Sequence, residues 1–385
     1  MIPQRLCFAA FAASVISPAP AAAATAPVDY MTSSFAIERV LDWGERPVWS
    51  PDGRKIAFTR SDVEDGPAYE LDLATRAVRC LTCRWGANGL VSRIYYLPDG
   101  SFLILAGADL ETTTSQRGSG SGTGVSSTSL YWMPASADMP PRSLQARAVG
   151  EIAIDPNPRP DGARRIAWGI SSQAGSQLIV ADLVGDRRSA VLTNRRVGYS
   201  NPPGQANSLA TFPETYDFAD NGEAVTFWSI KRGMPATGMF KLDLQSGTVS
   251  DLPGDGAHTE THLFPDERYG LEESNRVSDP SGPYRGISSL SPKVVAAILQ
   301  RLGHSDASEA QRNSGHAFDL FVRSFSDNRL RRLTEVSDRG GEAHQSSPSP
   351  DGGRIVFALK APESGPYAGK PGLYVGTFGS QRNGR

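Results

Sequence analysis

One phrase occurs nearly intact near both ends of the chain and constrains its fold more than any other feature. Residues 47–58 read PVWSPDGRKIAF, and residues 346–358 read SSPSPDGGRIVFA. In each copy the proline presets the first corner of a turn, the aspartate can bond its own backbone two residues on, and the glycine tolerates a positive φ. The phrase therefore predicts a tight β-hairpin, and its recurrence indicates an internal repeat.

Four degenerate copies lie between these two and bring the number of repeat units to six. They occupy residues 95–106, 159–168, 218–228 and 263–271. The short spacings between turns set the length of the bare unit, and the long ones imply insertions. The turn residues Asp52, Asp99, Asp161, Asn221, Asp266 and Asp351 are separated by 47, 62, 60, 45 and 85 residues.

Most units contain a second pair of short apolar runs after the hairpin, as in YELDLATRAVRCLT at residues 69–82. Each unit thus supplies about four strands, which is the content of one propeller blade. Such a small sheet cannot bury its faces alone, so neighbouring units must stack around an axis. The sequence predicts an all-β fold, a six-bladed β-propeller over residues 34–378.

The two ends of the chain are predicted to complete one blade together. The last unit ends after its third strand, at residues 372–378, and an unassigned apolar run at residues 34–41 precedes the first turn. Pairing these segments supplies the missing fourth strand and removes an exposed sheet edge. We therefore expect a ring closed by the N-terminal strand.

Two long segments interrupt the blades. Residues 112–129 are rich in Gly, Ser and Thr and predict a flexible loop in the second blade. Residues 275–317 form an insertion in the fifth blade, and its stretch SPKVVAAILQRLG at 291–303 predicts one short helix with Ser291 as cap. This inserted helix either packs on the flank of the ring or closes over one mouth of the channel.

Charge and the N-terminal segment indicate where the protein works. Lys and Arg total 39 and Asp and Glu total 41, for a formal net charge of −2 without a basic block, which argues against a nucleic-acid partner. Residues 1–24 have the pattern of a signal peptide that is too short to span a bilayer. We expect an exported, periplasmic protein with no integral membrane segment after cleavage, a linker at 25–33 and a disordered tail at 379–385.

The pattern of cysteines favours a structural role over metal binding. Cys7 lies in the predicted signal segment, which leaves Cys80 and Cys83 in the phrase RCLTCRW. A lone pair with no second pair nearby is a weak metal signal, and export allows a local disulfide. The pair is interpreted as structural, either a disulfide or two free thiols.

The Ser-Pro-Asp-Gly phrase followed by an apolar strand resembles the Pro-Asp propeller repeats of TolB-like periplasmic proteins. Leu-Thr pairs that close several units, such as Leu81 with Thr82 and Leu333 with Thr334, add to this resemblance. It covers residues 34–378 and implies the propeller fold. Because the same repeat occurs in binding proteins, in prolyl oligopeptidases and in some polysaccharide lyases, it leaves the function open. The absence of a G-x-S-x-G phrase predicts that no peptidase domain is present.

Polar residues recur at one position of the predicted innermost strands. The strand before each Pro-Asp turn should line the channel with alternate side chains. The recurring position is either a solvated lining whose charges neutralise one another or a binding site for a polar ligand. Counting back five residues from each turn proline or its equivalent gives Arg46, Arg93, Asp155, Thr215, Glu260 and Gln345. Counting back three gives Val48, Tyr95, Asn157, Asp217, His262 and Ser347.

The phrase GAHTETHLFPDE at residues 256–267 is the strongest local hint of chemistry. On a strand, His258 and His262 would lie about 13 Å apart, too far to bind one ion, so only neighbours two apart could share a metal. Glu260 with either histidine is such a pair, and His344 of the next blade is a further candidate ligand. Glu272 and Glu273, which follow the turn, are interpreted as residues on the surface of a strand.

Two functions remain open on the sequence alone. The first is a monomeric, cofactor-free binding or scaffolding propeller that takes a protein, peptide or glycan in the periplasm. Its predicted ligand-binding residues are Arg46, Arg93, Asp155, Asp217, Glu260, His262 and Gln345. The alternative is a polysaccharide lyase that uses a divalent metal or arginine and a base, with His262, Arg93 and Glu260 as catalytic candidates.

Overall fold

The computed structural model describes residues 28–60, 66–85, 91–107, 128–172, 175–186, 188–200, 213–230, 237–254, 259–274, 276, 318–362 and 364–379. Within these ranges the chain forms 23 β-strands and three 3-10 turns, at Cys83–Trp85, Asp220–Gly222 and Ser337–Arg339. None of the described helical segments is long and apolar enough to cross a membrane.

The strands form six antiparallel four-stranded blades, which confirms the predicted propeller. Each blade runs from its innermost to its outermost strand in chain order. The first blade contains β2 (Glu45–Trp49), β3 (Lys55–Thr59), β4 (Ala68–Asp72) and β5 (Val78–Cys80). The second contains β6 (Val91–Tyr96), β7 (Phe102–Ala106), β8 (Thr128–Met133) and the first part of β9 (Arg142–Ile154). The third contains the rest of β9, β10 (Arg164–Ser172), β11 (Gly175–Gly185) and β12 (Ala190–Ser200).

The remaining three blades follow the same order, except that the last one takes its outer strand from the start of the chain. The fourth blade contains β13 (Glu214–Ala219), β14 (Ala224–Ile230), β15 (Thr237–Asp243) and β16 (Val249–Asp251). The fifth contains β17 (Thr259–Leu263), β18 (Tyr269–Ser274), β19 (Asp319–Ser324) and β20 (Leu330–Arg332). The sixth contains β21 (Glu342–Pro348), β22 (Arg354–Lys360), β23 (Gly372–Phe378) and β1 (Phe35–Leu41).

The predicted closure of the ring is confirmed. Strand β1 pairs antiparallel with β23, from Phe35 opposite Phe378 to Leu41 opposite Leu373. Residues 28–33, which the sequence predicted as linker, are also packed. Tyr30 is buried, donates a hydrogen bond to the Gly352 carbonyl oxygen at 3.0 Å and stacks on Phe264 at 3.9 Å. The N-terminal segment therefore joins the fifth and sixth blades.

The core lies between the faces of neighbouring blades. Trp132 of the second blade and Trp168 of the third share one apolar cluster, and Phe264 of the fifth blade shares another with Phe357 of the sixth. Each face becomes buried only when the next blade covers it, as the repeat pattern requires. Strand β9 strengthens one of these interfaces because it leaves the edge of the second blade and becomes the inner strand of the third.

The Pro-Asp hairpins form the turns that the sequence predicted. In the first blade the Asp52 carboxylate accepts the hydroxyl of Ser50 at 2.6 Å and the amide of Arg54 at 3.1 Å. Gly53 has a φ of +65°, in the left-handed region that favours glycine. The Cys80–Cys83 pair is a disulfide, which decides between the two structural interpretations.

Glu272 was interpreted as a strand-surface residue, and this is wrong. Its side chain is 2% exposed and forms ion pairs with Arg323 and Arg276, which are 2% and 7% exposed. The guanidinium of Arg276 also lies over the ring of Phe321, at 4.7 Å. Because the fifth blade is covered on both faces, alternation along β18 did not separate an inner from an outer side.

The two faces of the ring differ in their connections. The hairpins that contain the Pro-Asp turns lie on one face, where the inner strands end. The second and fourth strands of the blades end on the other face, where the inner strands begin. The predicted helix at 291–303 and residues 112–127 of the predicted loop lie outside the described residues, and Thr128 and Ser129 belong to β8.

The closure predicts a large loss of stability when β1 is removed. A chain that begins at residue 43 should melt roughly 5 °C or more below one that begins at residue 28, because it leaves the edge of β23 unpaired and removes Tyr30. Thermal unfolding followed by circular dichroism measures the difference. Equal melting temperatures would show that the sixth blade does not need its outer strand.

Candidate functional site

The inner strands carry a ring of residues at one common level. Each inner hairpin is closed by the residue at position 50, 97, 155, 219, 264 or 349. Counting back four residues from each closing residue reaches the same level in every blade. We call these six residues the belt: Arg46, Arg93, Glu151, Thr215, Glu260 and Gln345.

Five of the six belt residues were predicted from the sequence, and the third blade is the exception. There the level is occupied by Glu151, and Asp155 is instead the residue that closes the hairpin. Its carboxylate accepts the amide of Asn157 at 2.9 Å. The third hairpin spans residues 155–165, against 50–55 in the first blade, so counting from the turn proline went wrong by four residues. The same offset places Ala153, rather than Asn157, at the second level.

Bulges in the inner strands turn belt residues out of the regular ladder. The ladder register shifts between Glu45 and Val48 in β2, and between His344 and Ser347 in β21. Arg46 and Gln345 adopt left-handed φ angles of 55° and 53° at these two bulges. A bulge leaves an extra residue unpaired and redirects its side chain and backbone groups. Here the redirected amide of Arg46 donates to the side-chain oxygen of Gln345 across the blade interface, at 2.8 Å.

The belt and its neighbours bridge all six blade interfaces. Besides the bond from Arg46 to Gln345, the Arg46 guanidinium donates to the Ser92 carbonyl at 2.9 Å. The Thr215 hydroxyl lies 2.9 Å from the Glu151 carbonyl oxygen and accepts the amide of Ala153 at 3.2 Å. The other three bridges are formed by Arg93 with Glu151, by the Leu263 amide with Asp217 at 2.9 Å, and by the Ser346 amide with Glu273.

Arg93 and Glu151 form a charged bridge between the second and third blades. The Arg93 guanidinium and the Tyr95 hydroxyl both donate to the Glu151 carboxylate, and the Ile152 amide donates to the Tyr95 oxygen at 3.2 Å. Burial by itself would lower the pKa of Arg93, but the Glu151 carboxylate raises it, so the ion pair persists. Arg93 was predicted as a ligand-binding or catalytic residue, and the structure places it in a joint between two blades.

His262 and Asp217 form the second charged bridge. The Nδ1 atom of His262 lies 3.2 Å from the Asp217 carboxylate, and Tyr216 contacts the imidazole edge-on with ring centroids 5.0 Å apart. Burial would lower the pKa of His262, but Asp217 outweighs it through charge and hydrogen bonding and raises that pKa to about 9. The imidazole is therefore protonated at neutral pH.

Three carboxylates gather beside these bridges, and we call them the acidic cluster: Glu214, Glu260 and Glu273. Glu260 and Glu273 are direct cross-strand partners in β17 and β18, where like charges oppose folding. Burial and the charge of Glu260 raise the pKa of Glu273 to about 8. Burial, Glu260 and Glu151 raise the pKa of Glu214 well above its ordinary value.

Sequence reasoning found only Glu260 of this cluster. Glu273 was interpreted as a strand-surface residue, which is wrong, because its side chain is 5% exposed and accepts the Ser346 amide. Glu214 precedes the belt residue Thr215 in the chain. Counting back one residue further along each inner strand would have included Glu214.

Tyr216 faces the acidic cluster with an unsatisfied hydroxyl. It is 4% exposed, and its oxygen has no hydrogen-bond partner among the described residues. Burial, followed by the charges of Glu214, Glu260, Glu151 and Glu273, raises its pKa well above the ordinary value. The hydroxyl therefore lies within the field of all these carboxylates and remains neutral.

Two further glutamates lie where the inner strands begin, at the mouth of the channel opposite the Pro-Asp turns. Glu45 and Glu342 are the first residues of β2 and β21, in neighbouring blades. Burial raises the pKa of both, that of Glu342 to about 7, with Glu45 adding to the effect. His344 lies with its Nδ1 atom 3.8 Å from Glu342.

The predicted metal candidates do not converge in the part of the chain that the structure describes. His258 lies outside the described residues, His262 is paired with Asp217, and His344 lies beside Glu342 in another blade. Across the described ranges, no group of three or more His, Cys, Asp or Glu residues is arranged to hold a metal ion.

A separate cavity of about 210 Å³ lies near the rim of the ring, between the fifth and sixth blades. Its lining includes Arg332, Arg339 and Tyr367. The guanidinium of Arg332 is already paired with Asp319 and Asp338.

If the belt is structural, Arg93 and Glu151 must be coupled in stability. Replacing Arg93 by Met should destabilise the fold by about 3 kcal/mol or more, because it leaves the Glu151 charge without its partner. The double variant with Glu151→Gln should lose much less than the sum of the two single losses. Chemical denaturation measures these free energies, and the exposed pair Arg76–Glu38 serves as a control with a coupling of about 0–1 kcal/mol. If the double variant loses as much stability as the two single variants together, Arg93 and Glu151 are not energetically coupled and do not join the two blades.

The raised pKa values predict that stability falls as the pH rises. Glu273 ionises at about 4.5 when unfolded but at about 8 when folded, and His262 keeps its proton to about 9 rather than 6.5. In both cases the folded state binds more protons, so the contribution of these two groups to stability is fully present below about pH 5 and is lost between about pH 5 and pH 9.

Melting temperatures measured across this pH interval test whether stability falls as the pH rises. Glu273→Gln can still accept the Ser346 amide and should flatten the decline below about pH 8. Glu223→Gln, which changes an exposed carboxylate on the Pro-Asp side of the fourth blade, should leave it unchanged. A melting temperature that rises with pH would contradict the prediction.

The chain is similar to several solved structures but matches no known family. No protein-family model matches this chain, and no curated sequence matches it either. Among solved structures it resembles the putative TolB from Agrobacterium tumefaciens, with 14% identity, a TM-score of 0.46, and coverage of 90% of this chain and 99% of that one. TolB from Acinetobacter baumannii has 11% identity and a TM-score of 0.47, and covers 91% of this chain and 65% of its own. An oligogalacturonate lyase from Vibrio parahaemolyticus has 11% identity, a TM-score of 0.46, and coverage of 91% and 98%. Likeness at this level does not distinguish binding from catalysis.

Proposed function

We propose that this chain is an exported binding propeller of the TolB-like kind. It takes a segment of a protein, a peptide or a glycan at the mouth where the inner strands begin. The observation that carries the proposal is the acidic cluster. Glu260 and Glu273 face each other across a ladder, and the bridges between blades make no use of Glu214. Groups that a fold keeps at a cost to its own stability are typical of functional sites.

The structural role of the belt narrows the binding surface. Arg46, Arg93, Gln345 and Asp217 are engaged between blades, so they position the site rather than contact the ligand. Glu45, Glu214 and Glu342 are the first residues of their inner strands, at the mouth, and Glu260 lies at the level of the belt. A ligand that enters from this mouth therefore meets the side chains of these glutamates.

A polysaccharide lyase, with a divalent metal as an optional cofactor, is the alternative. Lyase chemistry on a uronate polymer needs a base that is unprotonated near neutral pH and a cation for the substrate carboxylate. His262 keeps its proton up to about pH 9 beside Asp217, and Arg93 is already paired with Glu151. The described geometry therefore supports binding better than proton abstraction.

Export to the periplasm is part of the proposal. It rests on the signal-peptide pattern of residues 1–24 and on the Cys80–Cys83 disulfide, since disulfides persist mainly in oxidising compartments. The ring is closed by its own N-terminal strand, which agrees with a protein that acts as a monomer.

A binding panel tests this function. The purified chain should bind at least one member of a panel of short basic, acidic and neutral peptides and of acidic and neutral oligosaccharides. The double variant Glu45→Gln with Glu342→Gln should weaken that binding severalfold, whereas Glu223→Gln on the opposite side should not. Fluorescence anisotropy measures the affinities.

Two results would count against the proposal. If no member of the panel binds, the mouth is not a binding site for these classes of ligand. If an acidic oligosaccharide is converted to an unsaturated product, detected by its ultraviolet absorbance, the lyase is the better description.

A further inference from the structure

The outer strand of the third blade presents a long edge that no described strand covers. Strand β12 (Ala190–Ser200) has 11 residues, whereas the outer strands β5, β16 and β20 of three other blades have 3 residues each. Within the described ranges β12 pairs with β11 alone, so its other edge leaves backbone amides and carbonyls without a partner strand. Folded proteins usually keep such edges short or cover them, because an open edge is a template for another strand.

Exposed apolar side chains are concentrated on the same blade. Four large hydrophobic side chains are exposed in the described part of the chain, and three of them lie on β11 and β12. Val184 and Val191, which are cross-strand partners, are 41% and 57% exposed, and Val197 is 47% exposed. Apolar side chains grouped around an open edge are typical of a surface that a partner covers.

The outer strand of the third blade is also basic. Residues 190–200 include Arg195 and Arg196, both exposed, and contain no Asp or Glu. The Arg195 guanidinium lies 5.6 Å from the centroid of the Trp168 ring, and neither arginine forms an ion pair with a described residue. This positive charge favours an acidic partner. A second copy of the chain fits poorly, because pairing two β12 strands antiparallel over their full length would set their arginines against each other.

Both faces of β12 pack against neighbouring blades, so the strand is ordered before any partner binds. Leu192 packs against the apolar cluster that the second and third blades share, and Tyr199 packs against Phe227 of the fourth blade with ring centroids 5.6 Å apart. An ordered strand loses little conformational entropy when a partner adds to it. The edge is therefore suited to strand addition, in which main-chain hydrogen bonds supply affinity and side chains supply specificity.

A bulge at Asn194 determines where an added strand can pair. Asn194 has a left-handed φ of 51°, its side-chain amide donates to the Asp182 carboxylate at 2.8 Å, and the register with β11 shifts there. Before the bulge, Ala190–Thr193 keeps a regular register with β11. An extended segment can pair with this stretch, and its continuation past the bulge reaches Arg195 and Arg196.

We propose that the outer edge of β12 binds an extended, acidic segment of a partner protein as a fifth strand of the third blade. The segment pairs its backbone with Ala190–Thr193, places an apolar side chain beside Val191 and directs acidic side chains to Arg195 and Arg196. An anionic lipid surface would meet the same side chains but would leave the backbone groups of the edge unused. This site lies at the rim of the ring and is separate from the channel mouth of the proposed function.

The test uses short, fluorescently labelled peptides with blocked ends. The parent peptide begins with two glutamates and continues with alternating valine and serine, and a second peptide has lysines in place of the glutamates. Two further peptides carry N-methyl groups on alternate backbone amides of the parent, one on the odd-numbered and one on the even-numbered residues. Fluorescence anisotropy gives their affinities for the purified chain and for the double variant Arg195→Gln with Arg196→Gln. The double variant Arg54→Gln with Arg84→Gln is the matched control, because it removes two exposed charges from the first blade.

The parent peptide should bind about tenfold or more tightly than the lysine peptide. One N-methylated peptide should lose about tenfold or more in affinity, because its methyl groups replace the donors that face β12, and the other should bind as the parent does. The variant Arg195→Gln with Arg196→Gln should weaken binding of the parent about fivefold, whereas the first-blade control should not. Both double variants should keep the melting temperature of the unaltered chain, since exposed charges contribute little to folding.

Four other outcomes would overturn strand addition at β12 and leave the proposed function of the channel mouth standing. The first is that the parent peptide does not bind, and the second is that both N-methylated peptides bind equally well. The third is binding to vesicles that contain anionic lipid, lost in the variant Arg195→Gln with Arg196→Gln, without any binding of the peptides, which would identify a membrane surface as the partner. The fourth is a dimer, detected by analytical ultracentrifugation, whose dissociation constant the same variant changes, which would identify a second copy of the chain as the partner.

Discussion

The joins between the inner edges of the six sheets control the rest of this structure. An inner strand pairs on one side only, so its other edge presents backbone groups and side chains that need partners near the axis. Here those partners are polar groups of the next blade, such as the Gln345 side chain for the Arg46 amide and Asp217 for the Leu263 amide. Because hydrogen bonds act over short distances, they fix the height of each inner strand relative to its neighbours. That height decides which other side chains come together, including the acidic cluster.

The ring is closed twice, once at the axis and once at the rim. At the axis, the bulges at Arg46 and Gln345 let the first and sixth blades exchange a hydrogen bond. At the rim, β1 completes the sixth blade, and Tyr30 ties the N-terminal segment to Gly352 and Phe264. Because both closures hold the first and sixth blades in place, losing one of them should weaken the other. The two closures should therefore contribute cooperatively to the stability of the ring.

The sequence predicts the fold better than the site, and the reason is physical. Blade number and closure follow from turn chemistry and strand alternation, which are local, and these predictions are confirmed. Counting from the turns also placed five of the six belt residues, but it failed at Asp155 because the length of the third hairpin is not visible in its Pro-Asp phrase. The ion pair of Arg93 could not be predicted, because its partner Glu151 comes from another blade. Glu273 was misjudged because both faces of a propeller blade are covered, so alternation does not mark the solvent side.

The acidic cluster shows how a buried site can hold carboxylates side by side. The fold limits their mutual repulsion by protonation, since Glu273 keeps its proton to about pH 8 and His262 remains charged to about pH 9. The number of protons that the cluster holds therefore changes with pH, and the stability of the fold changes with it. The buried carboxylate of Glu272 differs, because two ion pairs, with Arg323 and Arg276, balance its charge.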